Sequence, residues 1–163
     1  MWTGGYYYLL NLLRAIDLKR GDGVRSVLFV PPNTPANFLN PFAEIANVEI
    51  VRDEHFDARF DRRRLIDALI LGSDHGAAKC FRAYSVDVVF EAARYYVWGF
   101  PFPLVTWLAD FQHRRMPEFF GKAAYWRREL GFQVQVRSRG RQIMASSYDA
   151  KSDCEIFYPF TLG

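Results

Sequence analysis

Short, continuous apolar runs alternate along this chain with stretches whose apolar residues recur every three or four positions. That is the pattern of buried parallel strands joined by amphipathic helices. Leu9, Leu12, Leu13 and Ile16 share one face of a first helix that begins near Tyr6, and Lys19-Arg20-Gly21-Asp22-Gly23 closes it with cations and a glycine stop. Residues 26–30 are β-branched and apolar and end at Pro31-Pro32, which predicts a strand. Asn33, Thr34 and Pro35 lead into a short helix over 38–46, interrupted at Pro41, and 47–51 form a brief second strand. Asp61 caps a helix with Leu65, Ile66, Leu69 and Ile70 on one face and Gly72 at its end, and another helix covers 75–84. Residues 86–90 and 104–108 are further buried strands, the latter entered through Pro101 and Pro103. Residues 122–130 are helical in pattern, whereas 132–137 alternate with period two as a strand would. A last strand spans 142–146, and Ser147 with Asp149 caps a helix over 150–158 that stops at Pro159.

The strand-then-helix alternation predicts an α/β domain, a Rossmann-like doubly wound parallel sheet with helices on both faces, over 1–163 as a single domain. A length of 163 residues with 50% hydrophobic and 17% aromatic content suits a packed core of that size. Net charge is +3, which carries no nucleic-acid signature. Local clusters change the picture more. Arg62-Arg63-Arg64, Arg114-Arg115, Arg127-Arg128 and Arg137, Arg139, Arg141 suit either solvated helix faces or attraction to phosphates and an anionic membrane surface. Cys80 and Cys154 have no zinc-ligand spacing and read as free thiols. No segment reaches the ~18 apolar residues of a membrane span and no leader is visible, so the expected location is cytoplasmic.

Chemistry is expected just past the strand at 104–108, because open α/β sheets bind ligands at the carboxyl ends of their strands. Asp110, Gln112 and His113 emerge there, before Pro117 and Glu118 restart helix, and Glu91 at the end of the preceding strand is expected on the same rim. Gly4 and Gly5 at the start of the first helix form a candidate cradle for a diphosphate, though such a pair also makes an ordinary turn. His55 beside Asp53 and Glu54 reads as a solvated loop histidine before it reads as a metal ligand. His75 after Asp74 resembles a base with its orienting acid, but Asp74 is more simply an N-cap. The aromatic run Tyr95, Tyr96, Trp98, Phe100 and Phe102 suits either a sugar-stacking platform or a core feeding the next strand.

Three segments carry a resemblance. Asp110-Phe111-Gln112-His113 followed by Met116-Pro117-Glu118-Phe119-Phe120, Gly4-Gly5-Tyr6 leading into Leu9 to Leu13, and Ala145-Ser146-Ser147 through Ala150, Asp153, Phe157, Tyr158 and Pro159 occur in the order found in the amino-terminal half of bacterial family 4 glycosyltransferases. The chain resembles that retaining, GT-B half over nearly its whole length. The resemblance implies transfer of a sugar from a nucleotide-sugar donor to a hydroxyl acceptor, with no metal and no cofactor beyond the donor as co-substrate. It implies His113 as the catalytic group near the donor sugar, Gly4, Gly5 and Arg114 near the donor phosphate, and Asp110 and Gln112 on the acceptor, to which the strand-end position adds Glu91 as a secondary acceptor candidate. It implies one long helix up to Arg139, against the period-two reading. It also implies a carboxyl-terminal donor domain that this chain does not include. The strand that precedes the Gly-Gly loop in such folds is likewise not in the sequence, so the sheet is expected to lack its first strand and to expose edges that favour association. Partners implied are a nucleotide sugar, a hydroxyl acceptor and the donor domain; the arginine clusters add peripheral contact with an anionic membrane at its inner face, and the charge balance implies no nucleic acid. Two other classes remain beside this one. A non-catalytic Rossmann-like module would bind a sugar, a nucleotide or a partner domain; a nucleoside-phosphate hydrolase would want acids and a metal triad that the sequence does not offer.

Overall fold

The computed structural model describes residues 3–19, 23–57, 66, 70–91, 96, 99–137 and 140–161. Its elements in order are α1 (Thr3–Lys19), β1 (Ser26–Val30), α2 (Ala36–Ala43), β2 (Val48–Arg52), α3 (His75–Ala83), β3 (Val89–Glu91), β4 (Leu104–Leu108), α4 (Gln112–Arg115), α5 (Lys122–Arg137), β5 (Arg141–Ala145) and α6 (Tyr148–Phe157), with 3-10 turns at Glu54–Phe56, Pro117–Phe119 and Pro159–Thr161. The chain gathers into two compact units, Met1–Asp67 with His75–Val86, and Ala68–Asp74 with Asp87–Gly163.

The fold is α/β and every strand pairing among the described residues is parallel, but the strands form two small sheets. Among the described residues these are a two-stranded sheet, β1-β2, and a three-stranded sheet in the order β3-β4-β5. The first described element is already helix α1, so among the described residues β1 has a hydrogen-bonded neighbour on one edge only.

In the first unit the two-stranded sheet is covered on both faces, as parallel sheets require. Leu28, Val48 and Ile50 pack against Leu10 and its helical neighbours Tyr6, Leu9 and Leu13, together with Phe42 and Ile45. Phe29 points the other way because side chains alternate along a strand, and it meets Phe56 at 5.1 Å, Phe81 of α3 at 4.9 Å and Tyr84 at 5.5 Å between ring centroids. α2 runs through Pro41 instead of breaking there. Proline costs this helix one backbone donor close to its end, where the Glu44 N–H reaches Asn40 O and Phe42 O and closes the last turn. α3 stops at a turn in which Ser85 takes φ 53, a left-handed residue of the kind that ends helices.

In the second unit Leu104, Thr106, Trp107 and Leu108 of β4 are buried, as expected of the central strand of three. Leu108 packs with Phe111, Phe132 of α5, Cys154 of α6 and Tyr158. The period-two stretch is helix: Phe132 and Gln135 are buried and Val136 half-buried, so helical spacing also accounts for its inward residues. Ser147 caps α6 by accepting from the Ala150 N–H at 3.1 Å. After α4 the chain makes only a 3-10 turn at Pro117, and helix resumes at Lys122. The Asp61 cap, Leu65, Leu69, Arg62-Arg63-Arg64, Tyr95, Trp98 and Arg139 lie outside the described residues. Ile66 and Ile70 are helical and exposed, and Gly72 ends their run at φ +70. Tyr96 and Phe100 are buried and stacked 4.1 Å apart, which places these members of the aromatic run in the core.

The Gly99 N–H donates to Gly72 O at 3.0 Å, and a Cβ on Gly99 would stand 2.3 Å from that oxygen. Gly99→Ala is expected to displace this backbone contact and destabilise the protein by about 1–3 kcal/mol. Leu108→Ala, which opens a cavity under α5 and α6, is expected to cost about 2–5 kcal/mol. Urea unfolding followed by circular dichroism measures both.

Candidate functional site

β4 ends at Leu108 and Asp110 follows, 37% exposed at the carboxyl end of the strand. Its Oδ1 accepts from the Gln112 N–H at 3.1 Å, an Asx turn that starts α4, and lies 3.7 Å from the Arg128 guanidinium. Gln112 is exposed. At the neighbouring strand end, Ser146 Oγ donates to Ala109 O at 2.5 Å and its N–H to Leu108 O at 3.0 Å, tying the β4 and β5 exits together.

His113 does not stand at an open mouth. It is fully buried, with its ring 5.1 Å from that of Phe132 and 5.6 Å from that of Tyr125. Its neighbour is Glu129 of α5, which sequence reasoning missed. The Glu129 carboxylate accepts at Oε1 from Arg114 Nη2 at 2.5 Å and Gln133 Nε2 at 2.8 Å. At Oε2 it accepts from Arg114 Nε at 2.7 Å and the Tyr158 hydroxyl at 3.0 Å, and His113 Nε2 stands 3.3 Å away.

Protonation states follow from this geometry. Burial alone would raise the Glu129 pKa, but hydrogen bonds from Arg114, Gln133 and Tyr158 and the Arg114 charge hold it at about 2. An ionised carboxylate only accepts, so Nε2 of His113 carries the proton and Nδ1 presents a lone pair, which finds no partner among the described residues. Burial pushes the His113 pKa below its ordinary value despite the nearby carboxylate, so the imidazole is neutral. Burial and the bond to Glu129 push the Tyr158 phenol up, and it stays protonated. Arg114 spends both faces of its fork on Glu129 and lies over the Phe157 and Tyr158 rings at 5.6 and 5.7 Å, yet it keeps 29% of its side chain exposed. Next to it, Arg115 pairs with Asp153 of α6.

Glu91, expected on the rim, is turned inward. Its carboxylate accepts from the Tyr96 N–H at 2.7 Å, from the Thr106 hydroxyl, and from Arg141 at 3.2 Å, with both charged side chains essentially inaccessible. Parallel register explains this, since Glu91 pairs with Thr106 and Arg141 with Leu104, which puts all of them on one face of the sheet. Burial raises the Glu91 pKa above its ordinary value, and the three donors only partly offset it.

Gly4 and Gly5 belong to the first unit and lie inside the first turn of α1, with Gly5 buried. Their N–H groups are among those that a helix leaves without internal partners. His55 donates its backbone N–H to Asp53 Oδ1 at 2.7 Å, and its ring lies against Gly76 of α3, where a Cβ would sit 2.3 Å from the imidazole. Asp53 also accepts from the Cys80 thiol at 3.5 Å. Among the described residues no group of three or more His, Cys, Asp or Glu side chains is arranged to hold a metal ion.

The sequence did contain a signal for Glu129. It is the only acid in α5, and it shares a side of the helix with Tyr125 and Phe132, four positions before and three after. An acid inside an apolar stripe is the informative exception in such a pattern. Comparison with protein-family models, with curated proteins and with solved structures found no match.

The site sets a two-step acid dependence. A depressed histidine contributes stability that is complete above its unfolded pKa of 6.5 and is lost as pH falls from there toward the folded value. Glu129 contributes stability that is complete above 4.5 and is lost between 4.5 and about 2. Unfolding free energy is expected to decline in both windows; His113→Gln should remove the upper step and Glu129→Gln the lower, read from urea titrations at stepped pH. Arg114→Ala, which leaves the buried carboxylate without its main partner, is expected to cost about 3 kcal/mol at pH 7 in the same measurement.

Proposed function

We propose that this chain is the acceptor-side half of a retaining glycosyltransferase of the GT-B type, which moves a sugar from a nucleotide donor to a hydroxyl acceptor when joined to a donor-binding domain. Alone, it is inactive. In this reading its parallel strands belong to one Rossmann-like domain that works in the cytoplasm. The observation that carries the reading is that two of the segments bearing the resemblance, 110–120 and 145–159, pack on each other. Arg115 pairs with Asp153, the Phe111 ring lies 6.2 and 5.8 Å from those of Phe157 and Tyr158, and Tyr158 shares the Glu129 carboxylate with His113 and Arg114.

Each group then has a role. Asp110 and Gln112, at the exit of the central strand, orient the acceptor hydroxyls. In the first unit, the first-turn N–H groups around Gly4 and Gly5 suit a donor phosphate; in the second, the exposed part of Arg114 offers positive charge to one. His113, neutral and held through Nε2, offers Nδ1 to a sugar hydroxyl once the α4 turn opens, and stabilises charge by position and not by a covalent step. The donor nucleotide sugar is the co-substrate, and no metal enters the reaction. A second reading, a non-catalytic module that binds a sugar, a nucleotide or a partner domain, is favoured by the complete burial of His113.

One variant separates the two. Glutamine at 113 keeps a donor toward Glu129 and removes the ring nitrogen that would face a sugar. In the whole polypeptide to which this segment belongs, assayed with a panel of nucleotide sugars, His113→Gln is expected to lower turnover by about 100-fold or more with thermal stability little changed. Sugar transfer that survives the substitution assigns His113 to structure alone, and no transfer by the unsubstituted polypeptide with any donor favours the binding module.

A further inference from the structure

His113 is covered by a segment that is otherwise surface. Of residues 112–120 only His113 is buried; Gln112 and all of 115–119 are exposed, and Phe119 reaches 77%. The backbone of this segment closes on itself. The N–H groups of Gln112, Arg114, Arg115, Met116, Phe119 and Phe120 donate to Asp110 Oδ1 and to the carbonyls of Phe111, Gln112, Met116 and Pro117, so these bonds reach no strand and no other helix. What ties the segment to the rest of the second unit is side chains. Arg114 bonds Glu129 of α5, Arg115 Nε bonds Asp153 of α6 at 2.9 Å, Arg128 of α5 lies 4.9 Å from the Phe120 ring centroid, and the His113 ring stands between Tyr125 and Phe132.

Both ends of the segment leave room to move. α4 is a single turn bounded by Phe111 (φ −119, ψ 33) and Met116 (φ −136, ψ 62), both outside helical values and neither providing a side-chain cap. After Phe120 comes Gly121, where an added Cβ would meet nothing within 4 Å. Closure also carries a cost, because it holds His113 Nδ1 inside with no partner among the described residues, and water supplies one when the segment lifts. Self-contained backbone bonds, little buried apolar surface and an unpaired polar atom underneath are the conditions under which a segment opens without global unfolding. We propose that residues 112–120 form a strap that lifts as a unit about Phe111 and Gly121, is latched by Arg115 on Asp153, and controls access to His113 and Glu129. The use of this opening to admit a sugar rests on the glycosyltransferase reading; the opening itself does not.

The test uses the full chain and needs no substrate. Carbethoxylation of His113 by diethylpyrocarbonate, located by peptide mass mapping, reads exposure of its ring; amide hydrogen exchange reads the strap, and urea unfolding reads global stability. The amides of Arg114, Arg115 and Met116 are expected to exchange at least tenfold faster than those of β4, with His113 modified far faster than the protein unfolds. Arg115→Gln and Asp153→Asn should each speed both processes about threefold, the size expected of a partly exposed ion pair, and the double variant should match either single one. Sodium chloride should speed opening in the unsubstituted chain more than in the variants. Lys151→Gln, which removes the exposed pair with Glu155 on the same helix, should change neither readout. Modification of His113 only at the rate of global unfolding overturns the proposal, as does equal exchange of the strap and β4 amides, or opening that neither latch variant accelerates. Sugar transfer enters none of these readouts, so failure of the strap and failure of the glycosyltransferase reading are seen separately.

Discussion

The second unit depends on keeping one carboxylate ionised away from water. Glu129 can remain charged inside only because donors replace its hydration shell, and they come from α4, from its own helix and from Tyr158 just past α6. The segment after β4, the long helix and the carboxyl-terminal turn are thereby referred to a single pair of oxygens. His113 is neutral because burial disfavours the imidazolium even beside that carboxylate. The carboxylate accepts the Nε2 proton as a hydrogen bond, and among the described residues Nδ1 has no hydrogen-bond partner.

Elements whose signals were local were legible in the sequence, and contacts that depend on partners far along the chain were not. β1 and β4 run where apolar runs bounded by prolines put them, and Ser147 caps α6 as its position suggests. α5 gave conflicting signals because polar and apolar side chains occur on both of its sides. Its inward side mixes Phe132 with Glu129 and Gln135, while Trp126 and Leu130 face outward, so its apolar stripe is interrupted. Arg115 and Asp153, or Arg141 and Glu91, are too far apart in sequence for any spacing rule to join them. Asp110 and Gln112 stand where strand-end reasoning put them, at the exit of β4, whereas His113 and Glu91 are drawn inside by partners the pattern does not name.

Both units apply one rule of parallel sheets, that neither face tolerates water, and they meet it differently. In the first unit, aliphatic side chains from α1 and α2 and aromatic ones around α3 cover opposite faces of two strands. In the second, one face of the three-stranded sheet carries Glu91 and Arg141, paired with each other, with Glu91 also held by Thr106 on the strand between them.

That pair bears on how the three strands find their alignment. Glu91 on β3, Thr106 on β4 and Arg141 on β5 meet only when each strand stands in one relation to the next. Hydrophobic contact alone discriminates poorly among neighbouring alignments of runs such as Leu-Val-Thr-Trp-Leu, which are apolar on both faces. A slip of one residue would turn the carboxylate or the guanidinium to the opposite face and leave a buried charge unanswered. The charged pair therefore acts as a register key, excluding misaligned sheets more than it strengthens the aligned one.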